Sequence, residues 1–174
     1  IGNRIRSVLP LLTLGHTDFA LGEYAAASDY YQRILEISQN TGFLWGIEKA
    51  CKYLGVVALS IGNNEEAEQY LRQSLIIIDE IGLVRDKLNV LYEYARLLVA
   101  QGEFEQASEM LALIIQHPVS HQIRLGEGRI KDSAESLLTK IEDQLHPDVY
   151  STALERGQDL DVDGVICDLI SQQC

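Results

Sequence analysis

The sequence predicts an all-α solenoid of antiparallel helix pairs, and three observations predict it. Gly22, Gly62 and Gly102 recur at a spacing of 40. Other position types keep the same spacing: small Gly15, Gly55 and Ala95, then Ala27, Ala67 and Ala107, large Tyr31, Leu71 and Leu111, and the pair Gly42 and Gly82. Several residue types locked to one period of this order mark stacked supersecondary units. Within a unit, Leu54, Val57, Ala58 and Ile61 fall at i, i+3, i+4 and i+7, one face of a helix.

The elements follow in order. Helices are expected over 9–21 and 24–40, 44–61 and 65–81, and 84–101 and 104–116. Pro10 falls in a first turn, where a missing N–H does no harm, and Pro118 stops the sixth helix. Gly62 suits the left-handed residue that ends a helix. Asn64 is expected to cap the next helix, with Glu65 and Glu66 at the positive end of its dipole. Ala67 is small where two helices should cross closely, and Leu71, Leu75 and Ile78 continue the buried stripe. A degenerate pair follows over about 127–144 and 147–157, with Pro147 near the start of its second helix. Val162, Val165, Ile166, Leu169 and Ile170 make the segment 162–172 an amphipathic helix suited to covering the end of a solenoid. The chain is thus read as one domain, 1–174, with repeats at 8–43, 44–83 and 84–118, a degenerate pair at 120–158 and a capping helix at 161–172.

Composition narrows the function. Hydrophobic residues make up 47%, enough for a packed core. The 26 acidic and 14 basic residues leave a net charge of −12, which repels phosphate backbones and argues against direct nucleic-acid binding. Three cysteines without a CxxC spacing fit reduced thiols and a cytoplasmic location. The apolar runs are too short to span a bilayer, and "IGNRIRSVLPLL" lacks the apolar core of a signal peptide. The first residue is not Met, so the segment is read as a fragment of a longer chain.

The units resemble tetratricopeptide repeats. The pattern of small residue, turn glycine, aromatic, alanine and large residue appears as Gly15, Gly22, Tyr24, Ala27 and Tyr31. It recurs as Gly55, Gly62, Ala67 and Leu71, with Asn64 replacing the aromatic, and as Ala95, Gly102, Phe104, Ala107 and Leu111. The resemblance implies a right-handed superhelix; the spacing of 40, against the usual 34, implies longer helices. "EISQNTGFLWGIEKACKYLGVVALSIGNNEEAEQYL" is similar to the C-terminal repeat regions of large bacterial regulators, the signal-transduction ATPases of the maltose-activator type and related antibiotic regulators. The tail, with Tyr150, Ala153 and Gly157, resembles their closing segment. In such proteins the ATPase and DNA-binding modules lie upstream; no GxxxxGK[ST] occurs here.

Candidate sites are few. "DLDVDG", Asp159 to Gly164, matches the first half of a calcium loop, but Ile170 stands where the bidentate acid belongs. The competing reading puts Asp161 and Asp163 at a helix N-terminus, satisfying its N–H groups. His117 and His121 are four apart with Pro118 between them and no further ligand at zinc spacing; His16 and His146 are isolated. Cys167 is assigned to the apolar stripe of the last helix, as core. No nucleophile stands in a GxSxG context, so no enzyme activity, cofactor or metal is expected.

In tetratricopeptide repeats the first helix of each pair lines the concave groove. That face maps by period to His16 and Phe19, to Lys49, Lys52, Val56 and Leu59, and to Asn89, Tyr92, Arg96 and Val99. Lys49, Lys52 and Arg96 would form a basic cluster suited to an acidic peptide or a carboxylate. The alternative is that Glu48, Glu93 or second-helix acids neutralise them. The expected function is a protein-interaction and effector-sensing scaffold, the C-terminal part of a regulator or signalling ATPase. The alternative is a free-standing adaptor for a peptide or protein. Protein partners, upstream domains of the same chain and self-association are all compatible with the sequence; a membrane or nucleic acid is not expected.

Overall fold

The computed structural model describes residues 7–125 and 128–171 of the 174. These residues form nine α-helices in sequence order, with adjacent helices paired. The fold is all-α, built of the successive helix pairs that the spacing predicts and consistent with the tetratricopeptide-like solenoid that the resemblance implies. By its contacts the chain divides into two compact units, Ile1–Ile81 and Gly82–Cys174, each with its own packing.

The first unit holds α1 (Val8–Ala20), α2 (Tyr24–Thr41), α3 (Leu44–Ser60) and α4 (Asn64–Ile81). Each helix packs on the next. The pairing rests on a small residue facing a large one. A Cβ added to Gly15 would lie 2.6 Å from Tyr31 Cε1, and one on Gly55 2.8 Å from Leu71 Cγ and 3.3 Å from the Ala67 carbonyl oxygen. Tyr31, Leu71 and Ala67 are buried, which accounts for the smallness of Ala67. Burying a leucine such as Leu71 contributes about 1.5–3 kcal/mol. At the α3–α4 joint Gly62 has φ +80°, a conformation that costs an L-residue about 1–2 kcal/mol.

The cap of α4 differs from the sequence expectation. Asn63, not Asn64, does the capping. Its Oδ1 accepts from the Glu66 amide at 3.3 Å, while its Nδ2 donates to Glu66 Oε2 at 2.8 Å. Asn63 and Glu66 thus hold each other, while the Asn63 backbone amide donates to the Ala58 carbonyl at 2.9 Å instead of to Glu66 as in a capping box; the helix starts one residue earlier than the sequence suggests.

The second unit holds α5 (Val84–Gln101), α6 (Phe104–Gln116), α7 (Ile130–Ile141), α8 (Pro147–Asp159) and α9 (Val162–Ser171). Here α6 is the hub: α5, α7 and α8 all pack on it. The fourth pair therefore departs from a simple hairpin, each of its helices meeting α6. Gly157 permits the approach of α8: a Cβ there would collide with the Glu109 carbonyl oxygen and lie 2.7 Å from Ala112 Cβ. Gln116 Nε2 donates to the Gly157 and Gln158 carbonyls at 3.0 and 2.7 Å, satisfying acceptors at the end of α8.

The helix expected over 127–144 is shorter at both ends. Residue 127 lies outside the described residues. Residues Gly128–Arg129 (β2) pair antiparallel with Arg124–Leu125 (β1), and α7 begins at Ile130. The reason is burial: Ile123 and Ile130 are 1% and 0% exposed, and the Ile130 amide donates to the Ile123 carbonyl at 2.9 Å. Glu142–Gln144 tighten into a 3-10 turn. Residue 172 of the expected closing helix also lies outside the described residues.

Candidate functional site

In the first unit the mapped residues gather around aromatic rings on α1, α2 and α3. Lys49 and Lys52 are 7% and 5% exposed. A buried ammonium is costly unless something opposite it compensates. Lys49 Nζ lies 3.0 Å from Glu48 Oε2 and 5.6 Å from the centre of the Trp45 ring. Glu48 is itself fully buried, and the Ser74 hydroxyl of α4 donates to its Oε1 at 3.4 Å. Lys52 Nζ instead lies 4.4 Å from the centre of the Tyr53 ring, with no carboxylate of the described residues in ion-pair reach. A cation over an aromatic face contributes about 0.5–2 kcal/mol.

Tyr53 also stacks on Tyr31, ring centres 5.3 Å apart, and receives His16 edge-on at 4.4 Å. Partial burial, and then the Lys52 charge, hold the His16 imidazole below its ordinary pKa. Burial first, then Tyr53 and Asp18, push the Tyr31 hydroxyl up. His16 and Tyr31 are thus neutral at neutral pH, which leaves Lys52 as the cation of this cluster. Phe19 packs on Tyr24 across the α1–α2 joint, ring centres 5.4 Å apart. Val56 is buried and Leu59 half-buried.

In the second unit Asn89, Tyr92, Glu93 and Arg96 follow one another along one face of α5. Arg96 Nη1 lies 2.6 Å from Glu93 Oε2, and Glu93 is buried. Burial raises the Tyr92 pKa, with the Arg96 charge acting against it and Glu93 adding to it; a hydrogen bond to Ser133 of α7 also lowers it. Asn89 is 9% exposed, and its Oδ1 has no hydrogen-bond partner among the described residues.

Two of the three mapped cations are therefore held by neighbouring acids, Lys49 by Glu48 and Arg96 by Glu93. Sequence reasoning missed the rings that organise the first cluster, Trp45, Tyr53 and Tyr31. The signal was present: Trp45 lies one turn before Lys49, Tyr53 directly follows Lys52, and Tyr31 is the large residue of the first repeat.

The acidic tail motif is engaged by the protein itself. Asp161 Oδ1 accepts from the Asp163 and Gly164 amides, both at 3.0 Å, and so caps α9. Asp163 has a different partner, its Oδ1 meeting Lys87 Nζ of α5 at 2.7 Å. The half calcium loop is thus a helix start and an ion pair. Among the described residues no three His, Cys, Asp or Glu side chains are placed to hold a metal. His117 Nδ1 accepts from the Val119 amide at 3.4 Å. Cys167 also corrects the sequence expectation. It is exposed, because Val162, Ile166 and Leu169 form the buried face of α9 and Cys167 lies about 100° around the helix from Ile166. Burial, with Glu48 adding to it, pushes the Cys51 thiol up to about 12, leaving it inert as a nucleophile.

Residues 10–41, which span α1 and α2, match the tetratricopeptide repeat family. No curated protein and no solved structure matches the chain. Tetratricopeptide repeats generally mediate protein–protein interaction, and their fold is typically a non-catalytic scaffold. No helix of the described residues is long and apolar enough to cross a membrane.

Proposed function

We propose that this domain is an effector-sensing scaffold, and that the first-helix face of each unit binds acidic protein segments. In the first unit the binding residues are His16, Phe19, Lys49 and Lys52; in the second they are Asn89, Tyr92 and Arg96. One observation carries the reading: Lys52 is buried over Tyr53, and among the described residues no carboxylate lies in ion-pair reach of it. A partner carboxylate would supply the missing counter-charge. In a chain of net charge −12 such a cation is also a local contrast for an acidic segment. The context we propose is cytoplasmic, as the C-terminal domain of a larger bacterial transcriptional regulator or signalling ATPase, a reading supported by the similarity of residues 36–71 and of the tail to such repeat regions.

The test is binding of a fluorescent oligoglutamate peptide to the wild type and to Lys52→Gln and Arg96→Gln. Binding that weakens at least tenfold in Lys52→Gln, while the melting temperature holds, supports the site. Unchanged affinity in both variants removes it. The free-standing adaptor remains the second reading, because the tetratricopeptide match alone serves both. The mass of the native polypeptide in its source cells separates them: roughly 90 kDa or more means a regulator of several domains, and 19.5 kDa an adaptor.

A further inference from the structure

In the first unit a groove of about 290 Å³ is lined by α2, α3 and α4. Leu54 and Ala58 of α3 are buried and form its floor. Ile61, just past the end of α3, is 58% exposed at its rim. Tyr24 of α2 and Tyr70 of α4, both half-buried, stand on its two sides. Glu66 is the one charged residue among the described residues that line it. Its Oε2 accepts from Asn63 Nδ2 at 2.8 Å, a neutral donor that leaves the negative charge in place. Burial, then the Glu66 charge and Cys51, push the Tyr70 hydroxyl up, so that charge is felt one turn further along α4.

The second unit shows what such a surface takes. Ala58, Glu66 and Tyr70 stand 40 residues before Leu98, Gln106 and Met110. Those three share a cleft with Val165, Asp168 and Leu169 of α9, and α9 packs on α5. Leu98, Met110 and Leu169 are all buried. The repeated surface is thus met, in the second unit, by an amphipathic helix whose aliphatic residues lie four apart. Two differences set what the first groove takes. Ala58 is smaller than Leu98, which leaves room for a larger incoming side chain. Glu66 is charged where Gln106 is neutral. An acid at the Asp168 position of an incoming helix would be repelled by Glu66, and a lysine or arginine attracted. Charge therefore disfavours α9 of a second copy and favours a basic helix.

We propose that the groove between Tyr24 and Tyr70 docks an amphipathic helix of a partner protein, with aliphatic residues at i and i+4 and a lysine or arginine at i+3. The aliphatic pair lies over Ala58 and Ile61, and the cation meets Glu66. This site does not rest on the acidic-segment reading, since neither Lys49 nor Lys52 lines it.

The test titrates the full chain, followed by NMR, with a synthetic peptide of residues 161–171 carrying Asp168→Lys, and with the same peptide unaltered. The altered peptide should saturate, shift Tyr24, Ile61 and Tyr70, and bind more tightly than the unaltered one. Ile61→Ser, at an exposed position, should weaken it at least tenfold. Glu66→Gln should weaken it about two- to fivefold, as for an exposed ion pair. Glu66→Lys should invert the order of the two peptides, which a loss of fold would not do. Lys52→Gln should leave the altered peptide's affinity unchanged, so this site and the acidic-segment site fail separately. Shifts confined to 82–171, equal affinity for the two peptides, or an unchanged order in Glu66→Lys overturns the proposal. So do groove shifts that grow with protein concentration alone, which would mean that a second copy fills it.

Discussion

The ring of Tyr31 fills the space that a side chain on Gly15 would need, 2.6 Å from where the Cβ would stand. The third repeat fills the equivalent positions with Ala95 and Leu111, both fully buried. Gly15→Ala should therefore destabilise the first unit. Overpacking costs about 1–3 kcal/mol, partly offset by the gain of about 1 kcal/mol for replacing a helical glycine by alanine. Adding Tyr31→Leu should recover stability, with a coupling of about 0.5–3 kcal/mol. Urea denaturation of the four proteins of the cycle measures it; additive effects would mean that the two positions do not press on each other.

Asn63→Ala removes both side-chain bonds to Glu66 at the start of α4. A loss of about 1 kcal/mol is expected, together with faster amide exchange at Glu66. Asn64→Ala, at the position the sequence favours, should cost less than half as much.

The depressed pKa of His16 gives a pH dependence with a defined sign. Above the unfolded value of 6.5 the imidazole is neutral in both states and contributes no slope. Below it, the unfolded chain takes up a proton that the folded chain refuses, so stability falls as pH drops from 6.5 toward the folded pKa. Comparing melting of wild type and His16→Gln between about pH 7.5 and 5, chosen to bracket that window, should show a shallower slope in the variant. Lys52→Gln should raise the His16 pKa, seen in the titration of its ring protons.

Calcium at millimolar concentration is expected to leave the melting temperature unchanged, because Asp161 is engaged by amides and Asp163 by Lys87. Asp161→Ala should cost about 1 kcal/mol as a lost cap. Asp163→Asn should speed hydrogen exchange across 162–171. A calcium-induced rise in melting temperature would mean that the pair opens and the loop re-forms.

The repeat is legible because its rules are local. Gly15 and Tyr31, Gly55 and Leu71, and the turn glycines each declare a packing or backbone requirement in their own residue type. The hairpin at 124–129 is not legible, since two-residue strands carry no period and the burial of Ile123 and Ile130 is a tertiary fact. Asn63 and Asn64 are equally good caps in composition, and only the reach to Glu66 separates them. Cys167 shows the limit of an apolar stripe: a neighbour in sequence is a quarter-turn away in space. The period names the basic residues of the first-helix faces. Which of them are neutralised depends on the rotamers that bring Glu48 to Lys49 and Glu93 to Arg96, and no spacing encodes those.

The left-handed glycines fall at 22, 42, 62, 82 and 102, one every 20 residues. Every joint between α1 and α6 is thus built to one pattern. A copying event that duplicated 40 residues, or excised them, would leave each remaining joint with its glycine in place. Removing 43–82, for instance, would join Gly42 to Leu83 and replace Gly42-Phe43-Leu44 by Gly42-Leu83-Val84. An event of any length that is not a multiple of 20 would strand a helix end without its hinge. The spacing therefore constrains how this chain could have lengthened during its ancestry, and it marks where a designer could cut.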